Sequence, residues 1–152
     1  MFLVNTKSAL YGMQAIIPYF KTRGEGHLIN ISTVLSRVPA ASFRAGYSAA
    51  KAALNVLTSN LRMDLQKDYP RVYVSLVLPG GVATNFQKNA IGGTPGGGPV
   101  GVAAPQSADE VAAVIAGVIE SKAPEVYSSA VLDNLAHRYY EDVAAFERAR
   151  VS

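Results

Sequence analysis

The chain has 152 residues, of which 49% are hydrophobic and 16% are charged, and its formal net charge is +3. This size and composition predict one globular domain with a sizeable core. The sequence contains no cysteine, which excludes disulfides and thiolate metal sites and is typical of a reducing compartment. The charge is modest and scattered along the chain, so we expect no nucleic-acid partner.

Apolar runs in the sequence are all short. None approaches the roughly 20 residues of a membrane span, and the first residues do not resemble a secretory signal. The two histidines, His27 and His137, lie far apart and have no metal-ligand spacing. We therefore expect a cytoplasmic protein with no membrane partner and no metal site.

The first part of the chain alternates between helical and strand patterns. Apolar side chains recur at helical spacing over 4–22, and Gly24 and Gly26 are expected to end that helix. The short apolar run over 27–33 is typical of a parallel strand that is covered on both faces. A loop is expected over 34–45.

A longer helix is expected over 46–68, and the pair Tyr69-Pro70 ends it. The buried stripe of this helix is predicted to consist of six apolar residues, namely Ala49, Ala53, Leu54, Leu57, Leu61 and Leu65. Another apolar strand follows over 72–78, and a segment rich in glycine and proline extends over 79–106.

The last third of the chain continues the alternation. Ser107 and Glu110 are spaced as a capping box that opens a helix over 107–121. A short strand is expected near 125–128, and 131–149 again shows helical periodicity. This order of helices and strands predicts an α/β fold with a doubly wound parallel sheet.

Tyr47 and Lys51 are four residues apart in the second helix, so their side chains share one face, about 5–6 Å apart at Cβ. A phenol beside an ammonium is a general acid–base arrangement, because the cation favours the phenolate and lowers the pKa of the tyrosine from about 10. We therefore expect the pKa of Tyr47 to lie nearer neutrality, where proton transfer is efficient. Taken alone, the pair also fits two residues on a solvated helix face.

Three segments occur in an informative order. The first strand ends in the hydroxyl residues Ser32 and Thr33, the next helix carries Tyr-x-x-x-Lys, and the following strand leads into a Pro-Gly-x-x-x-Thr turn that begins at Pro79. In this order and at this spacing, the chain resembles the catalytic half of the short-chain dehydrogenase/reductase family. The resemblance extends from about Val4 to about Ser129.

The resemblance implies a partial Rossmann-type doubly wound parallel sheet that lacks the N-terminal dinucleotide-binding strands. The sequence contains no Gly-rich phosphate-binding turn between a strand and a helix, and the glycine run at 92–98 has neither neighbour. We expect residues 1–130 to form the C-terminal half of such a domain and 131–152 to form a helical tail. A truncated product, a fragment or an internal start at Met1 would give such a chain.

The activity implied by the resemblance is that of an NAD(P)-dependent oxidoreductase, which moves hydride between nicotinamide and a small-molecule carbonyl or secondary alcohol. Tyr47 is then the proton donor or acceptor and also a cofactor-binding residue, and Lys51 lowers the pKa of Tyr47 and holds the nicotinamide ribose. Thr33 stands where the family commonly has a substrate-binding serine. Ser32 is the alternative hydroxyl, and Ser36 is a more distant one.

Further site residues follow from the same resemblance. Asn5 matches the helix asparagine that holds a water in the family's proton relay, although an asparagine near a helix start is also a good cap. Pro79, Gly80, Val82 and Thr84 match the turn that receives the nicotinamide carboxamide, whereas a plain strand-ending turn explains only the first two. Only the nicotinamide end of NAD or NADP is expected to meet this chain, and the choice between the two stays open.

Residues 85–106 are expected to form a substrate lid or a disordered segment. The helices over 4–22 and 46–68 resemble the pair that builds the family's dimer interface, so we expect a homo-oligomer. The alternative to an enzyme is a non-catalytic fragment that associates with itself or with an intact paralogue. A serine hydrolase is disfavoured, because the sequence contains no Gly-x-Ser-x-Gly motif.

Overall fold

A computed structural model describes residues 1–85 and 104–151. In it, three parallel strands form one sheet in the order β1-β2-β3. The strands are β1 Gly26–Ile31, β2 Val72–Leu78 and β3 Glu125–Tyr127. The helices are α1 Ser8–Arg23, α2 Ala45–Gln66, α3 Ala108–Ser121, α4 Ala130–Glu141 and α5 Val143–Val151. The predicted α/β fold with a parallel sheet is confirmed. None of the helices in the described ranges is long and apolar enough to cross a membrane.

β2 is the central strand of the described sheet. Near the carboxyl ends, Ile31 of β1 lies opposite Val77 of β2, and Leu78 of β2 lies opposite Tyr127 of β3. All residues of β2 except Tyr73 are buried, as expected of a parallel strand that is covered on both faces. The carboxyl ends of the three strands therefore meet at one edge of the sheet, where open α/β folds bind their ligands.

The predicted strand over 27–33 is displaced by a residue or two in the structure. β1 ends at Ile31, so Ser32 and Thr33 lie just beyond it, and Thr33 keeps an extended backbone with φ −162° and ψ 152°. The predicted loop contains two short 3₁₀ turns, Val34–Ser36 and Ser42–Arg44. The two hydroxyl residues therefore lie at the carboxyl edge of the sheet.

The first predicted helix begins with a π-helical turn, Leu3–Lys7, that continues into α1. Gly24 ends α1 in the left-handed conformation with φ 76°, which a glycine adopts without strain. Gly26, which was also expected to end the helix, is instead the first residue of β1. A Cβ at Gly26 would lie 2.3 Å from the ring of Phe20, so the glycine allows α1 to pack closely on β1.

α2 matches its predicted range closely, but its predicted buried stripe is partly wrong. Ala49 is exposed, and two polar residues lie among the buried positions, which are Ala50, Leu54, Asn55, Thr58 and Leu65. The Thr58 hydroxyl donates to the Leu54 carbonyl at 2.7 Å and accepts from the Asn30 amide at 2.9 Å. Polar side chains tolerate burial where such bonds satisfy them.

The predicted capping box at the start of α3 is confirmed. The Ser107 hydroxyl accepts from the Glu110 N–H at 3.1 Å, and the Glu110 carboxylate accepts from the Ser107 N–H at 2.6 Å. The two reciprocal bonds satisfy donors that a helix start otherwise leaves unpaired. They fix the N-terminal end of α3.

The predicted helical tail consists of two helices, α4 and α5. The helix over 130–141 stops because Asp142 adopts an extended backbone with φ −149°. On α4, Leu132 and Leu135 pack in one buried cluster with Val34 and Val38. α4 therefore contributes to the core that supports the segment following β1.

Candidate active site

Tyr47 and Lys51 lie in the first two turns of α2, and both are half-buried. Lys51 Nζ donates to the carbonyl oxygen of Ile31, the last residue of β1, at 2.8 Å. An ammonium has three N–H donors, and this bond uses one of them. The bond places the Tyr-x-x-x-Lys face of α2 at the carboxyl edge of the sheet.

The acidity of Tyr47 is set by burial and by one nearby cation. Burial raises the pKa of Tyr47 above 10.0, and the charge of Arg44 opposes this rise only in part. The prediction that the pKa of Tyr47 lies below its ordinary value is therefore wrong for this structure, because desolvation outweighs the favourable charge. Burial also lowers the pKa of Lys51. At neutral pH, Tyr47 is a protonated phenol suited to donating a proton.

The hydroxyls of Ser32 and Thr33 have different surroundings, although both residues are buried. Ser32 Oγ donates to the Lys51 carbonyl at 3.4 Å and lies 3.1 Å from Ser36 Oγ. Thr33 Oγ1 accepts from the N–H of Leu35 at 3.3 Å. Within residues 1–85 and 104–151, no group accepts the proton of the Thr33 hydroxyl.

Asn5 lies inside the π-helical turn Leu3–Lys7. Its Nδ2 donates to the Met1 carbonyl at 3.1 Å, so the side chain acts as a donor and not as the acceptor that caps a helix. The neighbouring Thr6 hydroxyl donates to the Ala50 carbonyl at 2.7 Å, which attaches this turn to α2. π-Helical turns occur frequently at functional sites.

The turn after β2 contacts the segment after β1 and α4. The Val34 N–H donates to the Pro79 carbonyl at 2.9 Å. A Cβ at Gly80 would lie 3.1 Å from the Leu132 side chain, so glycine permits the close approach of α4. Thr84, at the end of the turn, is exposed. The structure therefore joins this turn to the strand end that carries Thr33.

Gln106 holds the other side of this turn, and sequence reasoning missed it. Its backbone forms a parallel bridge with Val82, donating to the Gly81 carbonyl and accepting from the Ala83 N–H, both at 2.9 Å. Its side-chain amide donates to the Ser128 carbonyl at 3.0 Å and accepts from the Ser128 hydroxyl. No motif marks this glutamine in the glycine-rich segment. Most of the predicted lid, residues 86–103, lies outside the described residues.

Sequence reasoning also missed Asn55, a buried residue of α2 that bonds to Ser36. Its Nδ2 donates to Ser36 Oγ at 2.7 Å. The sequence does contain a signal, because Tyr47, Lys51 and Asn55 follow one another at intervals of four and therefore share a helix face. A polar residue at that position in an apolar stripe indicates a buried hydrogen bond.

These features define an α/β protein of the doubly wound class with a Tyr–Lys pair and two hydroxyl residues at the carboxyl edge of its sheet. Residues 1–93 match the family model of the short chain dehydrogenases. Because this match covers more than half of the chain, the protein belongs to the short-chain dehydrogenase family.

Several relatives share part of the sequence. An uncharacterized oxidoreductase of Staphylococcus saprophyticus is 32% identical over 83 residues, which is 55% of this chain and 33% of that protein. Dehydrogenase/reductase SDR family member 7B of Danio rerio is 36% identical over 80 residues, which is 53% of this chain and 25% of that protein. The matched part of the chain thus spans a third or less of these curated relatives.

Solved structures are similar over nearly the whole chain. A short chain dehydrogenase from Burkholderia cenocepacia in complex with NADP has a TM-score of 0.78 at 29% identity, covering 98% of this chain and 56% of that one. A short chain dehydrogenase/reductase from Burkholderia phymatum in complex with NAD has a TM-score of 0.74, covering 93% of this chain and 57% of that one. At 18% identity, the second likeness shows the fold alone.

Proposed function

We propose that the protein is an NAD(P)-dependent oxidoreductase that interconverts a carbonyl compound and a secondary alcohol. The observation that carries the proposal is the bond from Lys51 Nζ to the Ile31 carbonyl at 2.8 Å. This bond holds the face of α2 that carries Tyr47 and Lys51 against the end of β1, which Ser32 and Thr33 follow. Family membership supports the reaction class, and the neighbour solved with NADP at 29% identity supports the cofactor type.

The residues at this edge fit the nicotinamide end of a dinucleotide. Lys51 offers ammonium donors to a ribose hydroxyl. The turn Pro79, Gly80, Val82 and Thr84 has backbone groups and, on the exposed residue Thr84, a hydroxyl of the kind that binds a carboxamide. Reduced nicotinamide, when bound, supplies the hydride, and the protein contributes orientation and a proton.

Tyr47 is the proton donor in the direction of carbonyl reduction. Because burial raises its pKa, the phenol is protonated at neutral pH and gives its proton to the carbonyl oxygen. In the direction of alcohol oxidation, the phenolate takes that proton back. The charge of Arg44 stabilises this phenolate in part, against the larger effect of burial.

Thr33 is the better substrate-binding hydroxyl in this proposal. The single proton of the Ser32 hydroxyl already has acceptors within the chain, either the Lys51 carbonyl at 3.4 Å or Ser36 Oγ at 3.1 Å. Thr33 Oγ1 uses a lone pair for the Leu35 N–H, and its proton is directed to no acceptor in the described part of the chain. That proton is available for a substrate oxygen. We further propose that Asn5 belongs to the proton relay, since its turn is attached to α2 at Ala50, the residue before Lys51.

The test is steady-state turnover of the full chain with NADPH or NADH and a panel of aldehydes and ketones. Tyr47→Phe is expected to lower kcat by about 10²-fold or more, because it removes the general acid. The KM for the cofactor should stay within about threefold, because the phenol acts on the substrate oxygen. Tyr11→Phe, an exposed tyrosine of α1, is the matched control.

Two results contradict this function. In one, the Tyr47→Phe variant of an active chain retains the wild-type kcat. In the other, the folded wild-type chain turns over no substrate with either cofactor. The second result favours the non-catalytic alternative, in which the chain acts by association.

We also propose that the protein associates with a second copy of itself through α1 and α2. These helices expose Tyr11, Val56 and Met63, and the last two share one face of α2 at a spacing of seven. Sedimentation of the wild type should give at least a dimer. The double change Val56→Glu and Met63→Glu should lower the mass to that of a monomer, whereas Ile119→Glu on the exposed face of α3 should not. A wild type that is monomeric at micromolar concentration contradicts the proposal.

A further inference from the structure

Three polar side chains and the backbone carbonyl of Thr33 form a connected cluster behind the proposed substrate hydroxyl. Asn55 Nδ2 donates to Ser36 Oγ at 2.7 Å, and Ser36 Oγ donates to the Thr33 carbonyl at 2.5 Å. Ser32 Oγ lies 3.1 Å from Ser36 Oγ. Asn55 is only 2% exposed, and Ser32 and Thr33 are buried as well. The cluster therefore lies between α2 and the segment that follows β1.

The direction of these bonds is fixed by the number of protons available. A serine hydroxyl has one proton, and that of Ser36 is directed to the Thr33 carbonyl. Ser36 Oγ can then only accept from Asn55, so the asparagine must present its NH₂ group. The Thr33 carbonyl also accepts from the Ser36 N–H at 3.1 Å. Two donors from Ser36 thus hold the peptide group of Thr33.

The Thr33 side chain depends on this peptide. Its Oγ1 accepts from the Leu35 N–H in the 3₁₀ turn that begins immediately after it. If the Thr33 carbonyl loses a donor, the turn and the hydroxyl it orients lose a constraint. Errors of about 1 Å in the placement of a reacting group can lower a rate by about 10²-fold.

We infer that Asn55 is a positioning residue that acts through Ser36 to orient the Thr33 hydroxyl toward the substrate. The inference rests on the proposed function. Asn55 follows Lys51 by one helical turn, and Lys51 follows Tyr47 by one turn. One face of α2 thus sets the relative placement of the proton donor, the ammonium and the substrate hydroxyl.

The decisive variant is Asn55→Asp, which keeps the shape and changes the donor. An aspartate carboxylate accepts only, so the Ser36 proton turns toward it and the Thr33 carbonyl loses that donor. A protonated aspartic acid can donate to Ser36 as the asparagine does, and burial favours this neutral form. We expect kcat of the variant to match the wild type at low pH and to fall about tenfold or more as the carboxylate forms, with the KM for the cofactor unchanged.

Three further variants test the same path. Ser36→Ala should lower kcat by a similar factor at every pH. The double variant with Asn55→Asp and Ser36→Ala should have the same kcat as Ser36→Ala alone, because both changes break the same chain of hydrogen bonds. Thr58→Val is the matched control, since Thr58 is also a buried polar residue of α2 that bonds to the β1 segment. It should lower the denaturation midpoint and leave kcat unchanged.

The inference is overturned if Asn55→Asp follows the pH profile of the wild type while Ser36→Ala retains full kcat. If the wild type itself turns over no substrate, the proposed function has failed, and amide hydrogen exchange decides the inference separately. Exchange at the Leu35 N–H should then be faster in Asn55→Asp and Ser36→Ala than in Thr58→Val. Equal exchange in the three variants overturns it.

Discussion

Tyr47 illustrates how two opposing effects determine the state of one side chain. Burial destabilises the phenolate and Arg44 stabilises it, and burial is the larger effect. The phenol is therefore protonated over the neutral range. For the proposed reaction, we expect the rate of carbonyl reduction to stay constant through neutral pH and the rate of alcohol oxidation to rise toward alkaline pH as the phenolate forms.

Replacing Arg44 should shift this titration upward. Arg44→Met removes the charge that lowers the pKa of Tyr47, so the phenolate should form at higher pH than in the wild type. The measurement is near-ultraviolet phenolate absorbance against pH, taken as the difference between each protein and its Tyr47→Phe counterpart. Arg138→Met on α4 is the control. An unchanged or lower midpoint in Arg44→Met contradicts this account of Tyr47.

His27 gives a second residue whose charge state follows from its contacts. Ser75 directs its hydroxyl proton to the Ala123 carbonyl at 2.7 Å, so His27 Nε2 must donate to Ser75 Oγ, 2.8 Å away. The other ring nitrogen, Nδ1, is buried with no partner in the described residues. Burial, followed by the charge of Lys122, lowers the pKa of His27 below 6.5.

The lowered pKa predicts a loss of stability in mild acid. Between the folded-state pKa and 6.5, the unfolded chain binds more protons than the folded chain, so the free energy of unfolding rises with pH in that window. The contribution of neutral His27 to stability is therefore fully present above about pH 6.5 and is lost as the pH falls from there through the folded-state pKa. We expect the unfolding free energy, measured with urea from about pH 5 to pH 8, to rise less steeply with pH in His27→Gln than in the wild type. His137→Gln is the control, and an equal slope in both variants contradicts the prediction.

At the scale of elements, α2 organises the described half of the site. It carries Tyr47, Lys51 and Asn55 on one face, and it contacts the sheet again through Arg62. Arg62 Nε donates to the Val74 carbonyl at 2.7 Å, and its Nη2 donates to the Pro124 carbonyl at 2.6 Å. Arg62 thus links the second half of α2 by hydrogen bonds to β2 and to Pro124, the residue before β3.

Arg62→Met should cost about 2 kcal/mol of unfolding free energy, because it removes two charge-assisted bonds and leaves two carbonyls without these donors. Lys67→Met, an exposed position just beyond α2, should change stability by less than about 0.5 kcal/mol. Urea unfolding at neutral pH measures both. Equal midpoints for the two variants would show that Arg62 does not hold the helix to the sheet.

Local sequence signals predict much of this architecture. The run 72–78 and the capping box are read from residues close together in the chain, and both are confirmed. The bounds of α2 also lie within two residues of the prediction. Each of these features depends on hydrophobic periodicity or on short-range hydrogen bonds, which a sequence displays directly.

Features that depend on distant contacts were not predictable in the same way. The burial of Asn55 requires Ser36, and that of Thr58 requires Asn30, each reached from another part of the chain. The direction of the Tyr47 pKa required the balance of burial against charge, which spacing on a helix does not give. The choice between Ser32 and Thr33 as the proposed substrate hydroxyl depends on the direction of each hydroxyl proton, which the sequence does not show.

At the scale of the whole molecule, α4 completes the core next to the candidate site. Leu132 is 1% exposed, packs with Val34 and Val38, and approaches Gly80 of the turn after β2. The C-terminal part of the chain therefore supports both segments that carry proposed site residues. Its packing links the stability of the domain to the geometry of the site.

Leu132→Ala should lower the unfolding free energy by about 3 kcal/mol, since it leaves a cavity in this cluster. Val131→Ala, at the adjacent position that is 57% exposed, should cost less than about 0.5 kcal/mol. Urea denaturation followed by circular dichroism compares the two. Similar midpoints would contradict the view that α4 is part of the core.

The most direct test of the central claim is an equilibrium titration of the full chain with NADPH and with NADH, followed by reduced-nicotinamide fluorescence. The account predicts saturable binding of at least one of them, weakened in Lys51→Met and Thr84→Val and unaffected in Tyr11→Phe. In the proposed function, the Lys51 ammonium and the turn after β2 hold the nicotinamide end. A folded chain that binds neither nucleotide, or a Lys51→Met variant that binds as tightly as the wild type, would contradict the claim.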